Sequence, residues 1–94
     1  MAAKRLRAEV VVSGRVQGVW FRSSTRQVAH SLGLTGYVRN RFDGSVEAVF
    51  EGPEDKVRLA VEWCHRGPSM AIVESVDVTW GEPTGRYRTF SVEH

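Results

Sequence analysis

Residues 7–13, RAEVVVS, alternate in character. Ala8, Val10 and Val12 would share one face, and Arg7, Glu9, Val11 and Ser13 the other, which predicts a half-buried strand. The period then changes. From Phe21 to Leu32 the apolar positions Phe21, Val28, Ala29 and Leu32 fall on one side of a helix, and Gly33 is a natural stop. TGYVRN (35–40) and GSVEAVFEG (44–52) read as two strands around Asp43-Gly44, a strong hairpin signal. Val46, Ala48 and Phe50 would share one face of the second strand, and Ser45, Glu47, Val49 and Glu51 the other. GPEDKVRLAVEWCHRG (52–67) is the clearest helix. Pro53, Glu54 and Asp55 suit its first turn, Val57, Ala60, Val61 and Cys64 keep helical spacing, and Gly67-Pro68 ends it. AIVESVDVTW (71–80) alternates through Val76, Val78 and Trp80. After a loop over 81–85, YRTFSVE (87–93) adds a short strand with Phe90 and Val92 on one side.

The order is β-α-β-β-α-β, with room for a split of the last strand. Two βαβ-type units joined by a hairpin predict an α+β domain of ferredoxin-like architecture. It would be a sandwich: an antiparallel sheet with two helices on one face. That architecture hosts many functions and does not choose among them.

Composition narrows the choice a little. A chain of 94 residues makes one domain with one modest core, with residues 1–5 expected as a frayed basic tail. Apolar residues are 41% and charged residues 26%, as in a globular protein. The longest apolar run is Met70 to Val73, too short for a membrane span or the core of a signal peptide. The single cysteine, Cys64, cannot staple the fold, and a closed zinc site needs more ligands than the chain can cluster. The simplest reading is a cytoplasmic protein whose stability comes from packing; composition does not fix its oligomeric state, and a monomer without metal or other cofactor is expected.

Charge is uneven. Residues 1–41 carry eight basic side chains and one acid, and residues 42–94 five basic and ten acidic, so net charges of +7 and −5 face each other along the chain. A basic half suits an anionic ligand, unless folding spreads the charges over different faces.

One segment fits neither period: GRVQGVWFR, residues 14–22. It lies between the first strand and the first helix, where loop N–H groups can converge and a helix N-terminus adds free donors. Gly14 and Gly18 permit backbone conformations and close approach that side chains block. Arg22 falls in the first helical turn, where a cation opposes the helix dipole. A bound anion would remove that conflict, and the guanidinium fork matches phosphate. The plainer reading is a glycine-containing loop with a surface arginine, since the spacing is neither a Walker motif nor a dinucleotide fingerprint. Asn40 is the second candidate. By parity with Val38 it points to the apolar side, where a polar group needs a partner. It either caps the hairpin or faces the loop and holds a water, which an amide can orient without acting as a base.

VSGRVQGVWFR (12–22) and GYVRNRFDGSVEAVFEG (36–52) resemble the two signature segments of the acylphosphatases, and VEWCHRGPSMAIVESVDV (61–78) also looks like that family. The likeness covers roughly residues 6–93. It implies hydrolysis of the carboxyl-phosphate anhydride of acyl phosphates, with no metal required. It carries the phosphate-binding arginine onto Arg22 and the water-orienting asparagine onto Asn40. The phosphate-cradling backbone falls on Arg15, Val16, Gln17, Gly18 and Val19, with Gly14 shaping its entry. Trp20, Arg41 and Phe42 fill places the family varies, and Trp20 and Arg41 could alter leaving-group preference.

The remaining candidates are weaker. His30, His65 and His94 have no Ser or Cys partner at a suggestive spacing and read as structural or solvated. Cys64 reads as buried and inert, Trp63 and Trp80 as core or sheet cover, and Glu51, Glu54 and Asp55 as hairpin end and helix start rather than metal ligands. An RNA-recognition module shares the element order, but Glu47 and Glu51 on an open sheet face would repel RNA, and no nucleic-acid or membrane partner is expected. A non-catalytic anion-binding or regulatory domain of the same fold is the alternative to the enzyme.

Overall fold

A computed structural model describes residues 4–94. Alternation and helical spacing set the elements in chain order: β1 (Arg5–Arg15), α1 (Phe21–Ser31), β2 (Thr35–Asn40), β3 (Val46–Pro53), α2 (Glu54–Cys64), β4 (Ile72–Gly81) and β5 (Phe90–Glu93). The sheet order is β4-β1-β3-β2-β5. β1 runs antiparallel to both β3 and β4, and β2 antiparallel to β3. The expected all-antiparallel sheet needs one amendment: β5 adds parallel to β2, from Gly36 opposite Phe90 to Arg39 opposite Glu93. The chain crosses from β4, at one edge, to the far edge before forming β5, so the last strand enters in the same direction as β2.

Register explains the core. Ala8, Val10 and Val12 lie opposite Phe50, Ala48 and Val46, and Val38 lies opposite Ala48, so one face of three central strands is apolar. These residues are fully buried together with Phe21 and Ala29 of α1 and Val57, Ala60, Val61 and Cys64 of α2. Both helices therefore cover the same face, as the pattern predicts. Burial raises the Cys64 thiol to about 12, which leaves it inert at neutral pH.

Of the tail expected over residues 1–5, residues 4 and 5 are tied into the fold. Arg5 already pairs with Pro53, and the Lys4 carbonyl accepts from the Glu54 N–H at 2.9 Å. Residues 1–3 lie outside the described part.

The second face of the sheet is not open where Glu51 lies. Glu51 is 1% exposed and accepts from Arg7 Nη1 (2.6 Å), from the Thr84 N–H and Oγ1 (3.0 and 2.9 Å) and from the Gly85 N–H (3.1 Å). The β4–β5 connection is thus strapped across this face by one carboxylate. Burial alone would raise the Glu51 pKa, but these donors outweigh it and hold it below the ordinary value of 4.5. The stability it confers is therefore fully present above pH 4.5 and lost as pH falls through its lowered pKa. Glu51→Gln and Glu51→Ala should each unfold more easily in urea at pH 7, the alanine by about 1–3 kcal/mol because the Thr84 and Gly85 donors lose their acceptor, while Arg7 keeps the ion pair of its Nη2 with Glu9 (2.9 Å). Below pH 4 the gap to wild type should shrink.

Candidate active site

β1 ends in a bulge. Its register against β4 shifts between Ser13 and Gly14, and Gly14 takes φ 124°. A Cβ there would stand 2.2 Å from the Ile72 carbonyl, so no other residue fits without moving β4. The chain leaves the sheet here as an arc over residues 16–20. Val16 and Val19 are buried and anchor the arc from beneath, while Gly18 is exposed at φ 74°. A Cβ at Gly18 would meet nothing, so glycine serves conformation there rather than space. Among the described residues no backbone carbonyl accepts from the N–H groups of Val16 to Val19.

The arc runs into α1 through Trp20, which adopts a left-handed conformation, φ 66° and ψ 20°. For a residue with a side chain this costs on the order of 1–2 kcal/mol. The helix start has no side-chain cap and no acid in its first turn. Its first intrahelical bond runs from the Ser24 N–H to the Trp20 carbonyl, which leaves the preceding N–H groups as free donors. Arg22 stands among them, and its Nη1 lies 3.2 Å from His94 Nδ1. Phe21 fixes the helix by packing on Trp63 at 5.4 Å between ring centroids.

Asn40 reaches the same place from β2. It lies opposite Val46, which lies opposite Val12, two residues before the bulge. Its Oδ1 is buried and makes no hydrogen bond to any described group. Val16, Gly18, Trp20, Arg22 and Asn40 line one cleft of about 320 Å³ at the end of the sheet, closed at the other side by Val92 and His94. Of the residues marked by sequence, Arg22, Asn40, Val16 and Gly18 are thereby brought together. The Arg15 side chain is exposed, and that of Val19 is turned into the core.

Gln17 points elsewhere. Its Nε2 donates to the Arg41 carbonyl (2.7 Å) and to the Ser45 carbonyl (2.9 Å), clamping the arc to the β2–β3 turn. That turn is itself closed by Asp43, whose Oδ1 accepts from the Ser45 N–H at 3.0 Å; the Ser45 bonds hold its carboxyl below the usual range. Gln17, Arg41, Phe42 and Asp43 border a second cleft, which shares Asn40 and His94 with the first.

The acylphosphatase family model matches residues 8–92. The chain belongs to the acylphosphatase family. An acylphosphatase of Roseiflexus sp. (strain RS-1) is 57% identical over 86 residues, 92% of each chain. The crystal structure of acylphosphatase from Bacillus subtilis superposes with a TM-score of 0.90 at 36% identity, covering 95% of this chain and 99% of that one. An acylphosphatase structure from Coxiella burnetii gives 0.83 at 41% identity, covering 95% and 93%. The chain thus has the acylphosphatase fold.

Sequence reasoning missed two members of the site. His94 and Val92 enter through the last strand, and nothing local marks them. The Gln17 clamp spans 24 and 28 residues, a separation no motif spacing discloses. His30, read as structural or solvated, ties α1 to β5 by donating from Nε2 to the Phe90 carbonyl at 3.1 Å. Trp80, read as core or cover, is half exposed with the Arg58 guanidinium 4.8 Å over its ring.

Replacing Gln17 by alanine should cost about 1–2 kcal/mol in urea unfolding, because both carbonyls keep a backbone partner in the turn. Amide exchange in residues 16–20 should quicken while that of the central strands does not.

Proposed function

We propose that this acylphosphatase holds the phosphoryl group of an acyl phosphate on the backbone of residues 15–19 and on Arg22, while Asn40 orients the attacking water. The observation that carries the reading is the meeting, in one cleft, of an uncapped helix start, a guanidinium and a buried amide oxygen without a partner among the described residues. The arc's N–H groups and the start of α1 offer donors to the equatorial phosphoryl oxygens, and Arg22 adds charge. Asn40 Oδ1 accepts a hydrogen bond from water and aims its lone pair at phosphorus.

The chemistry asks for little more. The water oxygen forms a bond to phosphorus as the bond from phosphorus to the acyl oxygen breaks, and that electron pair leaves on the carboxylate. A carboxylate is a good leaving group, so protonating it gains little. The proton of the water passes to a phosphoryl oxygen of the substrate itself. Catalysis then rests on positioning and on stabilising charge at the equatorial oxygens. Among the described residues no cluster of three or more His, Cys, Asp or Glu side chains could hold a metal ion, and the reading routes no step through one.

The products are a carboxylate and inorganic phosphate, and phosphate should occupy the same arc. We place the protein in the cytoplasm as a monomer. Its one cysteine is buried in the core, and that core closes within a single chain. Light scattering checks the monomer.

Phosphate release from an aryl acyl phosphate in EDTA is the test. Wild type should turn over, and Asn40→Ala should lose about 10²–10³ in rate, the usual effect of removing one preorganised group. Arg22→Ala should lose more, since it removes charge as well as donors. Both variants should keep the wild-type unfolding midpoint within a few degrees. A folded Arg22→Ala that still binds phosphate and still turns over at the wild-type rate would overturn the assignment. Wild type that binds phosphate without turnover would favour the non-catalytic alternative.

A further inference from the structure

Trp20 occupies a position that backbone geometry would give to glycine or asparagine. Among the described residues it is the one non-glycine residue with positive φ. Burial does not repay that conformation, because the side chain is 73% exposed. Capping does not either, because the side chain makes no cap hydrogen bond to α1. Neighbouring Val19 and Phe21 both point into the core, so the indole is turned outward by alternation along the arc. There it forms part of the wall of the cleft that holds Arg22 and Asn40.

We propose that Trp20 is the specificity-determining wall for the acyl group, favouring acyl phosphates with aromatic or bulky apolar acyl parts over those of acetyl size. The proposal rests on the roles of Arg22 and Asn40 given above. Displacement at phosphorus is in line, so the acyl oxygen departs opposite the attacking water. With the water on Asn40, the acyl group lies away from Asn40. Both clefts include Asn40, but Arg22 lines the first and not the second. The fully exposed Phe42 lines the second alone, two residues from Asn40, whereas Trp20 lines the first alone, two residues from Arg22, and is its one exposed large apolar side chain. An aromatic acyl group standing out of the arc can therefore cover the indole face, gaining stacking and apolar burial that an acetyl group is too small to reach. That contact does not change as the bond to phosphorus breaks, so it acts on KM and leaves kcat alone.

The test compares benzoyl phosphate with acetyl phosphate. Trp20→Gly and Trp20→Asn both suit the left-handed backbone and should fold; Trp20→Phe keeps an aromatic face. Apolar discrimination of this kind starts at about tenfold. KM for benzoyl phosphate should rise about tenfold in the glycine and asparagine variants, with kcat and all acetyl phosphate constants within about twofold. Trp20→Phe should restore most of the preference, and Phe42→Ala should not affect it. Equal losses on both substrates, or none on either, would overturn the proposal. Calorimetry with the stable analogues benzoylphosphonate and acetylphosphonate separates the two readings. If wild type hydrolyses neither substrate, the hydrolytic reading fails. The wall still stands if wild type prefers benzoylphosphonate and Trp20→Gly does not, and falls if wild type binds both alike.

Discussion

The cleft depends on a steric constraint at the end of β1. At Gly14 the backbone passes so close to β4 that a Cβ would sit 2.2 Å from the Ile72 carbonyl and 2.8 Å from the Glu74 nitrogen. The bulge this creates breaks the β1–β4 register and turns the chain out of the sheet. Everything downstream inherits the direction of that turn. Val16 and Val19 drop into the core, Phe21 docks on Trp63, and the helix start comes to point over the end of β2. Asn40 already waits there, because its pairing with Val46 places it two strands from Val12. The sheet register and one glycine thus bring together two side chains 18 residues apart in sequence, Arg22 and Asn40.

Local stability rules fail where these elements meet. α1 begins without a cap or an acid and carries a cation in its first turn. Asn40 buries an amide oxygen with no donor among the described residues, which costs about 1–3 kcal/mol when nothing else satisfies it. Trp20 adds a left-handed backbone. Three departures within one cleft mark a site shaped for a ligand rather than for stability. A bound phosphoryl group would relieve the first and a water the second.

The opposite face of the sheet contributes at a distance. Glu51 gathers Arg7, Thr84 and Gly85 and holds the β4–β5 connection against the strands. That connection delivers β5 to the edge beside β2, and β5 brings Val92 and His94 to the cleft. His30 secures the same strand from α1. A carboxylate with no place in the chemistry therefore helps to close the wall of the site.

Sequence alone determined what depends on near neighbours. Alternation marked β2 over Thr35–Asn40 and the buried faces of β1 and β3, and helical spacing marked α1 and α2, because each residue's direction follows from its own backbone period. The misfit of Arg22 at a helix start and of Asn40 on an apolar face was legible for the same reason. The tertiary structure alone decided the rest. The parallel pairing of β5, the Gln17 clamp, the strap on Glu51 and the contact of His94 with Arg22 join residues from 24 to 72 positions apart. Such contacts follow from strand order and from which face each loop crosses, and the periodicity of a segment carries no information about either.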